Sequence, residues 1–366
     1  MSPSHRSALL PALLLAAGCG ASGTPGTSAT ASHSSAATAA SMAGGNKVIG
    51  VMSQNLYLGA DLTPVILAQT QLQFLQATTA VWNMVRKNDF HTRVNAIAEE
   101  IAERRPALVG LQEAFTWWTQ SPPDGAATPA TTVAYDYVPE LLSALEARGF
   151  VYRLAARVDL LDFEAPTLLG LDARTMDHGA ILAREDVHTE NPTAVVYSNL
   201  LPLTVLGQPL FVKRGYVAVD VKYRGESLRF VSTHLESFHP GIRTLQAVEL
   251  AQALAHEARP VILVGDLNSH PGTEGAAVLA GAGFSDVWPA LHPGEAGLSC
   301  CRAEDLTVLN APFVERIDYV LTRGLFTPRA IEVVGADPTE RIGGLWPSDH
   351  GGVFAEVRIG DPRFAP

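Results

Sequence analysis

Cysteine is nearly absent: 366 residues contain three, and two of those are neighbours, Cys300 and Cys301. Adjacent α-carbons sit about 3.8 Å apart across a trans peptide, short of the roughly 4.4 to 6.8 Å that disulfides prefer, so a bridge between them is expected to be strained. A chain with so few cysteines is not built on a disulfide framework, and no cluster of Cys or paired His has zinc-site spacing. Basic residues are also short, 26 Lys and Arg against 37 Asp and Glu, for a net charge of −11. That balance lacks the broad basic face behind nonspecific nucleic-acid binding. It argues against a duplex-DNA binder, although a metal in a site supplies local positive charge. There is no G-x-S-x-G elbow, no P-loop and no G-x-G-x-x-G, which removes the signatures of α/β-hydrolases, P-loop NTPases and dinucleotide enzymes. No internal repeat is present.

What the chain does have is a globular composition, 47% hydrophobic and 17% charged, and enough length for one large α/β domain or two ordinary ones. Its first eighteen residues stand apart. A short polar start with Arg6 is followed by Ala8 to Ala17, almost wholly Leu and Ala, and then by Gly18-Cys19. The run is too short to span a bilayer and reads as a secretory signal. "LLLAAGC" resembles a bacterial lipobox with Cys19 as the lipidated residue, although Ala16 stands where that motif usually carries Leu. Ordinary signal-peptidase cleavage, with Cys19 incidental, is the alternative; both readings export the protein. Residues 19 to 46, nearly all Gly, Ala, Ser and Thr, have no apolar periodicity and are expected to form a flexible tether. No other segment approaches transmembrane length.

Beyond the tether, residues 47 to 360 read as one domain. Residues 46 to 55 form a strand ending at Asn55, the pattern from Thr63 to Arg105 is helical with Pro106 as its stop, and 107 to 114 form a strand ending at Glu113. Further strands are expected at 151 to 158, 179 to 184, 194 to 199, 216 to 223, 227 to 235, 260 to 266, 316 to 322 and 351 to 359, and helices at 138 to 147, 241 to 257 and 273 to 282. Tyr223 to Glu226 is a hairpin turn. Strands outnumber helices and the helices do not follow every strand, which favours a two-sheet core with helices outside over a doubly wound sheet.

The ends of those strands carry the chemistry. In "VGDLNSHPG" an apolar run stops at Asp266 and Asn268, two residues apart and so, by strand alternation, aimed to one side. Asn55, Glu113, His234, Asp318 and Asp349 with His350 likewise lie where apolar runs give way to polar residues. Each alone has an ordinary explanation: a turn cap, a solvated acid, a core histidine. Together they supply hard oxygen ligands suited to Mg²⁺ or a similar ion and two histidines able to handle protons or phosphate oxygens. Four carboxylates in one cleft would repel one another, so the set implies a cation.

The motifs "SQN", "LQE", "STHLES", "GDLNS", "RIDYVL" and "SDHGGV", in that order from about Val48 to Ile359, resemble the endonuclease/exonuclease/phosphatase superfamily. Its members include deoxyribonuclease I, apurinic endonucleases, bacterial sphingomyelinases and inositol polyphosphate 5-phosphatases. "NLYLGADL", "SCCRAEDL" and "LWPSDH" resemble an exported bacterial branch. The resemblance implies an α+β fold, a four-layer α/β/β/α sandwich with two mixed β-sheets packed face to face and helices outside. It also implies roles: Glu113 as principal ligand of a catalytic Mg²⁺, for which Mn²⁺ would substitute, with Asn55 contacting metal or phosphate and Asp349 near the metal. Asp266 would align and deprotonate the attacking water, Asn268 would hold phosphate, His350 would bind phosphoryl oxygens with Asp318 orienting it, and His234 would stand near the leaving group. Tyr57 replaces an acid that some members use for a second metal.

The expected protein is thus an envelope-anchored, metal-dependent phosphoester hydrolase. It would act as a monomer on nucleic acid, phospholipid or a small phosphate, and would touch the membrane through lipidated Cys19. An extracellular nuclease, a sphingomyelinase-like phospholipase C and a non-catalytic binding lipoprotein are the alternatives. Phe115, Trp117 and Trp118, which lead into the loop-like "SPPDG", either stack on substrate or cover the core. Arg184, Lys213 and Arg214 either meet substrate phosphate or merely end strands.

Overall fold

The run Val261-Ile262-Leu263-Val264 is apolar at every position because both of its faces are covered. Val261 and Leu263 join one apolar cluster and Ile262 and Val264 another, as alternation requires of a strand inside a layered core. The computed structural model describes residues 47–125 and 127–360; the signal segment, Cys19 and the tether lie outside them. The elements run β1 (Val48–Asn55), α1 (Thr63–Ile66), α2 (Gln71–Lys87), α3 (Phe90–Arg104), β2 (Leu108–Gln112), β3 (Thr116–Gln120), β4 (Thr132–Asp136), α4 (Tyr137–Glu146), β5 (Tyr152–Pro166), β6 (Asp172–Arg184), β7 (His188–Val196) and β8 (Leu201–Val205). They continue as β9 (Gln208–Val212), β10 (Gly215–Tyr223), β11 (Glu226–His234), α5 (Pro240–Leu254), β12 (Val261–Asp266), α6 (Glu274–Gly281), β13 (Ser285–Asp286), α7 (Trp288–Leu291), β14 (Asp318–Arg323), β15 (Phe326–Val333) and β16 (Val353–Ile359).

Two large mixed sheets form the centre. One has eight strands, ordered β15-β16-β1-β2-β6-β3-β4 with β5 added against β6; the other has six, ordered β13-β14-β12-β11-β10-β7. Each holds a parallel pair, β1 with β2 and β11 with β12, among antiparallel neighbours. The sheets face each other through Ile49, Val51 and Leu108 on one side and Phe230, Ile262 and Val320 on the other. They approach so closely at Gly110 that an added Cβ would lie 2.4 Å from Val264 Cγ2. Helices α2, α3 and α4 cover the outer face of the first sheet through Phe74, Ile97 and Leu141, and α5 and α6 cover the second through Leu250 and Leu279. This is the α/β/β/α sandwich expected of the sequence. No helix among the described residues is long and apolar enough to cross a membrane.

Several details refine the sequence reading. The stretch 63 to 105 is helical, as expected, and divides into three helices. A capping box of Thr70 with Gln73 starts α2, and the chain turns again at Asn88-Asp89, where the Asn88 amide donates to the Gly59 and Glu304 carbonyls. The aromatics after Glu113 divide: β3 buries Trp117 against Trp82, Trp118 is half-buried under Arg174, and Phe115, itself buried, lines the same cleft as Glu113. Strands β5 and β6 are longer than expected, and β8, β9 and β15 were not expected. Cys300 and Cys301 are joined as a disulfide across a cis peptide, with α-carbons 3.1 Å apart.

Candidate active site

Alternation decides which residues reach the gap between the sheets. On β12 positions 262 and 264 face the opposite sheet, so Asp266 does too; on β11 positions 228 and 230 bring His234 there; on β1 positions 49 and 51 bring Asn55. His234 and Asp318 flank Asp266 in the ladders on either side. Each apolar run therefore ends in a polar side chain at the same edge of the sandwich, where the packed interior opens to a cleft.

Asp266 is the hub. Its Oδ2 accepts from Asn55 Nδ2 at 3.2 Å and lies 3.4 Å from His234 Nε2 and 3.8 Å from His350 Nε2. Its Oδ1 accepts the backbone N–H of Asn268 at 2.9 Å. Asn55 Nδ2 also donates to Glu113 Oε1 at 3.3 Å, and Glu113 Oε2 accepts the Leu58 N–H at 2.8 Å. Glu113 follows β2 with φ of 51°, a conformation that costs a non-glycine residue energy and recurs at functional sites. Asp318 Oδ2 bonds His350 Nδ1 at 3.0 Å and accepts from Ser299 Oγ at 2.7 Å. Cys300 Sγ lies 3.4 Å from His350 Nε2 on the far side of the ring.

The two histidines are held in opposite charge states. Arg214 donates to His234 Nδ1 at 2.9 Å; a guanidinium only donates, so His234 is a neutral ring with its proton on Nε2, facing Asp266. Burial, then the charges of Arg214 and His350, push its pKa well below the usual range. Burial also opposes charge on His350, but Asp318 and Asp349 overcome it and hold the ring protonated. Among the acids, burial pushes Asp266 above the ordinary carboxylate range, with Asp318 adding to the rise. Burial likewise raises Asp349 to about 6, with the Glu113 charge adding, and Asp177 to about 7.

Acids crowded this way call for a cation. Asp266, Asp318 and His350 bring ligand atoms within 4.8 Å of one another, yet there the imidazolium itself serves as the positive charge. Glu113 and Asp349 instead line the open cleft together and present oxygen donors there. With Asn55 they fit a hard divalent ion.

The structure thus brings together Asn55, Glu113, His234, Asp266, Asp318, Asp349 and His350. Asn268 stands beside them but is not aimed as alternation suggested: β12 ends at Asp266, Asn268 has φ of 48°, and its Nδ2 donates to the Leu235 carbonyl at 2.9 Å. Arg214 is part of the site through His234 and Asp177. Arg184 is not; it pairs with Asp186 at the other end of β6. Sequence reading gave no site role to Asp177, a buried acid within β6, or to Ser299 and Cys300.

The family model of the Endonuclease/Exonuclease/phosphatase family matches residues 80–350. Among solved structures, an endonuclease/exonuclease/phosphatase family protein from Bacteroides thetaiotaomicron is 16% identical with a TM-score of 0.54, covering 85% of this chain and 94% of that one. One from Beutenbergia cavernae is 19% identical at 0.52, covering 86% and 72%. A humanized D. rerio TDP2 is 17% identical at 0.51, covering 85% and 99%. These share the fold. No curated protein sequence matches the chain. With the family model spanning most of the domain and its motif residues converging at one edge of the sandwich, the chain belongs to the endonuclease/exonuclease/phosphatase family of phosphoester-hydrolysing enzymes.

Proposed function

We infer that the protein is an Mg²⁺-dependent phosphoester hydrolase in which water attacks phosphorus directly. The observation that carries this reading is the convergence on Asp266 of Asn55, His234 and, through His350, Asp318, beside the Glu113 and Asp349 pair. Glu113, Asp349 and Asn55 would hold the cation, with Mn²⁺ as a substitute. A bound divalent ion neutralises the phosphate and stabilises charge on the leaving oxygen. Asp266 takes a proton from water as the oxygen bonds to phosphorus; its raised pKa suits a base working near neutral pH. The protonated His350, fixed by Asp318, donates to a phosphoryl oxygen. The bond from phosphorus to the leaving oxygen breaks, and that oxygen takes its proton from solvent. Neutral His234, pinned by Arg214, points its N–H at Asp266 and keeps the carboxylate oriented toward the attacking water.

The signal-like start and Cys19 support export and lipid anchoring at the cell envelope, with the domain acting as a monomer. The D. rerio TDP2 structure solved with a single-strand DNA product makes nucleic acid one substrate to include. The test is a screen of the purified chain with Mg²⁺ against plasmid and single-stranded DNA, sphingomyelin, inositol phosphates and bis(p-nitrophenyl) phosphate. Turnover that disappears with EDTA is the expected result. Absence of hydrolysis across all of them would favour a binding protein instead.

A further inference from the structure

Glu113 and Asp349 line a cleft of about 290 Å³ whose lining is otherwise mostly apolar, a trough of hydrocarbon side chains. Leu62 and Val65 come from α1 and its approach, Leu161 and Phe163 from β5, and Leu203 and Leu210 from the separate hairpin β8–β9, where they pair across the ladder. Attack of water on phosphorus uses none of these side chains. A site for a small polar phosphate gains nothing by leaving them open, since apolar surface in contact with water is unfavourable.

The lining is also the wrong kind for a nucleic-acid strand. Bases stack on aromatic faces along a basic groove, whereas this wall is mostly aliphatic and the chain is acidic. The tryptophans that follow Glu113 are committed elsewhere, Trp117 to the core and Trp118 to Arg174. Lys213 also lines the cleft and makes no ion pair among the described residues. Phe238 lines the cleft while 56% exposed. One cleft thus combines oxygen donors for a cation, an ammonium and a large hydrocarbon surface. That is the polarity profile of an amphiphile held by its phosphate.

We propose that the trough seats the hydrocarbon chain of an amphiphilic phosphodiester, so that the substrate of this site is an alkyl- or acyl-chain phosphoester. The proposal rests on the hydrolase reading for the position of the phosphate, and the chain site is measured apart from it. Calorimetry with methyl-, hexyl- and decylphosphonate below their micellar concentrations, on the purified chain with Mg²⁺, reads chain binding without turnover. Each methylene held in the trough is expected to tighten Kd by up to about fourfold, so decylphosphonate should bind at least about a hundredfold more tightly than methylphosphonate. Leu203→Asn and Leu210→Asn, both half-buried on the hairpin, should each shrink that ratio. Equal affinity along the series overturns the proposal, as does an undiminished ratio in both variants.

Hydrolysis of methyl and decyl p-nitrophenyl phosphate, phosphatidylcholine vesicles and a single-stranded oligonucleotide then assigns the source. A rise in kcat/KM on vesicles identifies a bilayer lipid, and a rise on the monomeric decyl ester alone identifies a soluble amphiphile. Preference for the oligonucleotide overturns the proposal. Chain-dependent binding with no hydrolysis of any ester would sink the hydrolase reading while leaving the trough assigned; turnover and binding both indifferent to chain length would do the reverse.

Discussion

Replacing Asp266 by Asn keeps the shape of the side chain but not its acceptors. Oδ1 receives the Asn268 N–H at 2.9 Å, while Oδ2 receives Asn55 Nδ2 at 3.2 Å and faces the His234 Nε2 proton at 3.4 Å. His234 cannot change tautomer to accommodate an amide, because Arg214 already donates to its Nδ1. Whichever way the introduced amide turns, its NH₂ meets a donor, and one buried hydrogen bond is left unmade at a cost of about 1 to 3 kcal/mol. Removing a carboxylate whose charge is already opposed by burial and by Asp318 offsets part of that cost, so the variant should fold with a modest loss of stability. Catalysis should suffer far more. Loss of a general base that aligns water is worth about 10² to 10⁴ in rate, or roughly 3 to 5 kcal/mol of barrier at about 1.4 kcal/mol per tenfold. The fall should appear in kcat, with KM little changed, since the cation and His350 still hold the phosphate. The assay is steady-state kinetics on the best substrate of the screen, with circular-dichroism melting as the folding control. A folded Asp266→Asn with kcat within about threefold of wild type, far from the range for a lost base, would refute the role assigned to this strand end.

Glu113→Gln removes the charge from the cleft wall while keeping an acceptor for the Leu58 N–H. Turnover should collapse, and the Mg²⁺ concentration for half-activation should rise by at least about tenfold, the lower bound for losses even at outer-shell partners; an unchanged Mg²⁺ dependence would remove the ligand assignment. Glu100, buried on α3 with neither carboxylate oxygen hydrogen-bonded, is pushed up from 4.5 to about 8 by burial first and then by the Glu340 charge. The unfolded chain therefore loses this proton from about pH 4.5 upward while the fold keeps it to about 8, so stability falls across that window by about 1.4 kcal/mol per pH unit and no further above it. Glu100→Gln should melt near wild type at pH 4.5 and well above it at about pH 8; parallel melting curves would contradict this. Cys19→Ser should move the protein from the membrane fraction to the soluble exported fraction, and unchanged membrane retention with an intact signal would end the anchoring proposal.

Most of the candidate site was legible in the chain because it sits where strands end. A strand buried on both faces must be apolar throughout, so an acid, amide or histidine at its last position stands out, as Asn55, His234 and Asp266 do. Strand periodicity likewise disclosed two sheets with helices outside. What alternation could not supply was conformation past the strand: Asn268 turns away because its backbone leaves the extended region, and the tryptophans after Glu113 enter a strand whose partners, β4 and β6, are supplied by later segments. The charge states of His234 and His350 were equally out of reach, since Arg214 acts on the first and Asp318 on the second across the fold.

The trough beside the site is the clearest case. Leu62, Phe163 and Leu203 belong to three unrelated segments, each half-buried and each unremarkable within its own pattern. By itself the sequence determined which side chains end at the catalytic edge, because local burial and period 2 dictate that. Only the tertiary structure decided what surrounds them, because a cleft is formed by contacts between residues far apart in the chain, and no local pattern encodes which distant surface will stand opposite.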